Sequence, residues 1–94
     1  MGQLFERIRE AVDDERYVIG VHAAQRLRER RIPQWQAVAG LADGVLITER
    51  PRSKPNASVE VKQPLPDGTT AKAIWAWLPY HRVAKLVTVH FMDR

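Results

Sequence analysis

The sequence predicts an α+β domain: two or three N-terminal helices packed on one face of a mainly antiparallel sheet of four to five strands. Three observations predict it. Through the first forty or so residues, apolar side chains recur at three- and four-residue intervals, the period of a helix that hides one side. Beyond Gly44 the period shortens to two, as in half-buried strands. Proline, glycine and charge then punctuate the chain at 50–56, 64–68 and 79–82, where turns belong.

The first helix is expected over 4–14, with Leu4, Phe5, Ile8 and Val12 as its buried stripe. Asp13, Asp14 and Glu15 end it, because negative charge is disfavoured at the C-terminal pole of the macrodipole. Tyr17, Val18 and Ile19 form a short β-prone run closed by Gly20. A second helix covers about 21–30, buried through Ala23 and Leu27. Ile32-Pro33 breaks it, since a residue before proline avoids the α region. Pro33 suits the first turn of a third helix whose stripe is Trp35, Val38 and Leu41 or Ala42. Asp43-Gly44 ends that helix, with Gly44 free to adopt a left-handed cap. Strands follow at 45–49, 59–62, 69–78 and 84–92, with Asp67-Gly68 as a hairpin signal.

The 94 residues are read as one domain, 1–94, too short for separate cofactor and substrate domains. There are no cysteines, which excludes disulfides, thiolate nucleophiles and cysteine metal sites. The N-terminal residues carry charge where a secretory signal would be apolar, and no run approaches the ~20 apolar residues of a membrane span. A cytoplasmic protein with no membrane partner is expected. Fifteen lysines and arginines against eleven acidic residues give a formal charge of +4, which suits a polyanion or an acidic protein partner as well as plain solubility.

From His22 to Ile32 the chain reads H-A-A-Q-R-L-R-E-R-R-I. It resembles a large group of small bacterial domains of unknown function that open with H-A-x-x-R-[LM]-x-x-R-x-I. Gly44-Val45-Leu46-Ile47 and Thr88-Val89-His90 look like that group's G-x-[VI]-[IL] and T-V-[YH] strands, and the leading helix matches too. The group is usually placed near the RelE and ParE toxins of toxin–antitoxin systems. The resemblance implies a toxin-like RNA-binding domain or a metal-independent endoribonuclease, with RNA or the ribosome and a cognate antitoxin as partners. Two departures stand out. Arg31 occupies a frequent glycine position, expected to be a left-handed helix cap, and Pro33 replaces a frequent capping serine.

Metal-free cleavage of RNA needs a base for the 2′-hydroxyl, an acid for the leaving oxygen and cations for the phosphorane. Histidine suits proton transfer, and arginine can grip a phosphate with two hydrogen bonds. His22, Arg26 and Arg30 stand four residues apart and share one helix face, so they are the candidate catalytic residues, with His90 as a second proton-transfer group. The same side chains could serve structure instead: His22 as a cap, and Arg26 and Arg30 paired with Glu29, Asp43 or strand carbonyls. By strand parity Val87, Val89 and Phe91 share one side and Leu86, Thr88, His90 and Met92 the other; either the first set faces the helices and leaves Thr88 and His90 on the open face, or the assignment reverses and they lie under the helices.

Candidate RNA-binding residues are Arg50, Arg52 and Lys54 in a stiff proline-flanked loop, and His81 and Arg82 in a turn. Trp75 and Trp77 could stack bases if exposed, or fill the core. The three histidines lack ligand spacing, so no metal is expected, and no glycine-rich phosphate loop or nucleotide fingerprint implies a small-molecule cofactor. The competing function is a non-catalytic protein-interaction module of the same fold.

Overall fold

The computed structural model describes residues 2–65 and 68–92. The chain runs through helix α1 (Gln3–Asp13), strand β1 (Tyr17–Ile19), helix α2 (Val21–Glu29), helix α3 (Gln34–Ala39), a 3-10 turn (Gly40–Asp43), and strands β2 (Val45–Arg50), β3 (Ser58–Pro64), β4 (Thr70–Leu78) and β5 (Val83–Phe91). The strands form one sheet in the order β1-β5-β4-β3-β2. All pairings are antiparallel except β1 with β5, so the sheet is mixed.

One side of the sheet carries the core. Phe5, Ile8, Ala11 and Val12 of α1 and Ala23 and Leu27 of α2 are buried against Val59 and Val61 of β3, Ala71, Ala73 and Trp75 of β4, and Ala84, Leu86 and Val89 of β5. Trp75 is fully buried, so it packs the core and is not a stacking platform. Its indole N–H donates to Gln63 Oε1 at 2.9 Å, and Gln63 Nε2 donates to the Ala37 carbonyl at 2.9 Å. This chain of bonds satisfies the buried amide and ties α3 to two strands. Glu49 reaches from β2 to the start of α1, where its Oε2 accepts the Phe5 N–H at 2.9 Å.

Both long helices end in the same way. After α1, Arg16 N–H bonds the Ala11 carbonyl and Glu15 N–H bonds the Val12 carbonyl, with Glu15 at φ 61°. After α2, Ile32 N–H bonds the Leu27 carbonyl and Arg31 N–H bonds the Arg28 carbonyl, with Arg31 at φ 58°. Each is a Schellman motif, and after α2 its accompanying apolar contact has both residues, Ile32 and Leu27, buried. The left-handed cap expected at Arg31 is therefore present without glycine.

Three local expectations are corrected. Trp35 lies outside the apolar stripe of α3 and is 65% exposed, because the buried positions are Ala37 and, after tightening into the 3-10 turn, Leu41. Gly44 is extended (φ −77°, ψ 152°), not left-handed. A Cβ there would stand 2.5 Å from Val61 Cγ1, so close approach is what requires the glycine. Finally, β5 does not alternate throughout. Trp75 pairs with Leu86 but Ile74 pairs with Thr88, so an extra residue is accommodated at Val87. Leu86 and Val89 both face the core, and Val87 turns to the open face.

The expected hairpin falls partly outside the described residues, since Asp67 is not among them. Gly68 has φ 88° and donates to the Leu65 carbonyl at 3.0 Å. No described helix is long and apolar enough to cross a membrane.

Candidate nucleic-acid interface

Strand β1 covers β5 only from Ala84 to Leu86. Gly20 makes that junction possible: its N–H bonds the Leu86 carbonyl at 2.8 Å, and a Cβ would approach the same oxygen to 2.9 Å. Farther along, α2 packs against β5, and its ridge meets the strand directly. Arg26 Nε donates to the Val89 carbonyl at 3.2 Å, and its guanidinium carbon lies 5.8 Å from the centre of the Phe91 ring. Arg30 stacks closer on the same ring, at 4.2 Å. Arg26 and Arg30 thus converge on the part of β5 that β1 leaves uncovered. His22 is exposed one turn earlier. Five concave sites among the described residues lie elsewhere, and none is lined by His22, Arg26, Arg30 or His90.

His90 belongs to a different surface. Its neighbours Val89 and Phe91 face the helices, while His90 is exposed on the open side of the sheet. Lys62 pairs with Lys72 across β3 and β4, and Lys72 pairs with His90 across β4 and β5. These three side chains form one row across three strands. A second row runs Thr48, Glu60, Ile74 and Thr88, and a third Arg50, Ser58, Ala76 and Lys85.

Glu60 is the carboxylate in these rows. It bonds Arg50, and its Oε1 lies 3.8 Å from Lys72 Nζ. The hydrogen bond from Arg50, with the further attraction of Arg50 and Lys72, holds the Glu60 carboxyl below its ordinary range despite partial burial. Paired strand residues stand about 4.5–5.5 Å apart at Cβ, and like charges directly opposite are destabilising. The Lys62–Lys72 pairing is therefore unfavourable in itself, and Glu60, 3.8 Å from Lys72, offsets part of that cost.

The remaining predicted residues lie toward the other end of the same strands. Residues 51–56 fold back over the open face. Ser53 Oγ donates to the Asn56 carbonyl at 2.6 Å and lies 3.0 Å from Ser58 Oγ. Arg52 and Lys54 line a hollow with Trp77 and Pro79, which brings this loop next to the turn that carries His81 and Arg82. His81 packs edge-on against Tyr80, with ring centres 5.1 Å apart, and Arg16 donates to the Arg82 carbonyl to hold that turn. Arg50 is engaged by Glu60. Trp77 is half-buried against the core, with Arg7 over its ring at 5.9 Å.

Lys62, Lys72 and Lys85 were not singled out by the sequence, although a signal for two of them was available. A hairpin centred on position 67 pairs 62 with 72.

Among the described residues, no three of His, Asp and Glu gather closely enough to hold a metal ion. The chain belongs to a family described as a domain of unknown function (DUF4258), whose model matches residues 19–91. No curated protein and no solved structure matches it.

Proposed function

We propose that the chain is an RNA-directed, toxin-like domain on the RelE/ParE plan, holding the phosphate backbone of single-stranded RNA on the open face of its sheet. One observation carries the reading: Lys62, Lys72 and His90 stand abreast on three neighbouring strands, an arrangement that disfavours the free fold and favours a bound polyanion. The 22–32 motif resembles a group of domains of unknown function that is usually placed near the RelE and ParE toxins, and that placement supports the reading.

Within this reading His90 takes the proton of the 2′-hydroxyl, and the two ammonium groups beside it stabilise negative charge on a phosphorane, one of them giving a proton to the departing 5′-oxygen. The α2 ridge acts differently. Arg26 and Arg30 hold β5 in place, and exposed His22 contributes a flanking contact.

Two measurements test this. Fluorescence anisotropy with a twelve-nucleotide single-stranded RNA should show binding that weakens steeply with salt and is largely lost in the Lys62→Gln/Lys72→Gln double variant. Controlled expression in a bacterium, with mapping of RNA termini, should show growth arrest and new ends that disappear in His90→Ala. An unmodified protein that binds no RNA at 50 mM salt refutes the proposal. Binding without new ends leaves a binding domain and removes the ribonuclease.

A second reading, a non-catalytic protein-interaction module, rests on Trp35. This exposed indole borders a groove between α1 and α3 lined also by Val12, Tyr17 and Val38. A segment of a partner protein would dock there, and Trp35→Ala would abolish its binding.

A further inference from the structure

The hollow beneath the 51–56 loop has a chemistry of its own. Its floor is the open face of the sheet, formed by Ile74 and Ala76 of β4 and Val87 of β5. Its wall is Ser53, Lys54, Pro55, Asn56 and Ser58, and Lys85 stands at its rim. Strand register explains the depth. Ser58, Ala76 and Lys85 lie side by side on three strands, so the smallest side chain sits in the middle of the row. Val87 follows core-facing Leu86 in β5 and so lies on the open side as part of the floor, and the irregularity keeps Thr88 on that side as well.

We infer that this cavity is a subsite for one unstacked nucleotide of the bound RNA, an assignment that rests on the RNA-directed reading above. The cavity volume of about 220 Å³ is below the roughly 300–1,000 Å³ of sites that enclose drug-sized ligands. It therefore takes a base, with the sugar and phosphate leaning out. The flat apolar base covers Ile74, Ala76 and Val87, and the Pro55 ring closes over it. The Asn56 amide offers both a donor and an acceptor to a base edge.

The charged side chains of the lining, Lys54 and Lys85, are both cationic, so the attached phosphate is drawn to the mouth. From here the strand continues along the sheet toward Lys72 and Lys62. The loop is held over the floor by its own bonds, Ser53 to the Asn56 carbonyl and Ser53 to Ser58, so the pocket exists before the ligand arrives.

The test uses the full chain, isotope-labelled for NMR, with adenosine 5′-monophosphate, ribose 5-phosphate and inorganic phosphate as probes. Adenosine monophosphate should shift the amides of Ser53, Ala76, Lys85 and Val87 and bind at least tenfold more tightly than ribose 5-phosphate. Ala76→Leu, which fills the floor, and the charge-removing variant Lys54→Gln/Lys85→Gln should each weaken both that binding and twelve-nucleotide RNA binding about tenfold. The second variant keeps the test decisive if the first disturbs folding. Equal affinity for all three probes marks a simple phosphate site and overturns the inference. So does unchanged RNA affinity in both variants while the Lys62→Gln/Lys72→Gln protein loses it, a result that leaves the RNA reading standing. A protein that binds no RNA removes both.

Discussion

The two faces of β3 differ in what they ask of the rest of the molecule. Val59, Val61 and Gln63 point to the helices, and each meets its complement: apolar neighbours for the valines, an indole and a carbonyl for the amide. Ser58, Glu60 and Lys62 point the other way. There Glu60 is matched by Arg50 and Lys72, but Lys62 stands opposite another lysine. The helix-covered face is complete as folded. The open face holds a local conflict, and sequences that specify one structure tend to retain such conflicts where function needs them.

Several substitutions sharpen or break this contrast, and they are ordered by their effect on stability. On the covered face, Gln63→Leu leaves the Trp75 indole N–H and the Ala37 carbonyl without their buried partner. It should cost about 2–4 kcal/mol in chemical denaturation. A near-neutral result would mean the buried amide is dispensable, and the asymmetry between the faces would lose its basis.

Arg31→Gly, on neither face, relieves a left-handed cap. Stability should rise by up to about 1 kcal/mol, after the extra freedom of glycine in the unfolded chain is offset. In a domain of this size that raises Tm by roughly 4–8 °C per kcal/mol. RNA affinity should not change.

On the open face, Lys62→Gln should raise stability by a few tenths of a kcal/mol, about the size of one cross-strand pair. In the same protein the salt dependence of RNA binding should fall by about 0.7 in the log–log slope, the value for one lost contact on a single strand. Opposite signs in the two measurements are the signature of a functional charge; a loss of both would make Lys62 structural.

The smallest effect concerns Glu60. Its carboxyl titrates below the ordinary glutamate value of 4.5, so it favours the fold above that pH, and the benefit fades as pH falls from there through the lowered value. Glu60→Gln should flatten the acid limb of the stability–pH curve in that window and leave the curve unchanged near neutrality. An unaltered acid limb would show that the Arg50 and Lys72 contacts contribute nothing measurable.

Much of the architecture could be read from residue spacing. The order of helices and strands and the stop near Asp13 follow from short-range chemistry within a few residues, whereas the left-handed conformation at Arg31 was implied by the glycine frequent there in the resembling group. Trp35 and Gly44 were misread because their roles depend on distant partners: the tightening of the chain at 40–43, and the approach of Val61 from another strand.

The candidate surface was legible in part. His90 could be placed on a strand, and the basic loop could be seen in its composition. The α2 ridge has its helical spacing, yet what two of its members touch, Phe91 and the Val89 carbonyl, depends on where β1 stops covering β5, and no local pattern encodes that. The lysine row depends on hairpin register, which spacing alone could have suggested for Lys62 and Lys72.

The irregularity at Val87 works as a phase shifter. Counting back from the turn, Leu78 pairs with Val83 and each step outward keeps the sum of paired numbers constant through Trp75 and Leu86; past the irregularity the sum is one higher. Had the count run on unbroken, Lys72 would have met Val89, and the imidazole of residue 90 would have been driven in among the helices. A single surplus amino acid thus lets one ribbon end serve the interior with one set of residues while offering the neighbouring set to the outside; straightening the ribbon with every residue kept would invert each position that follows.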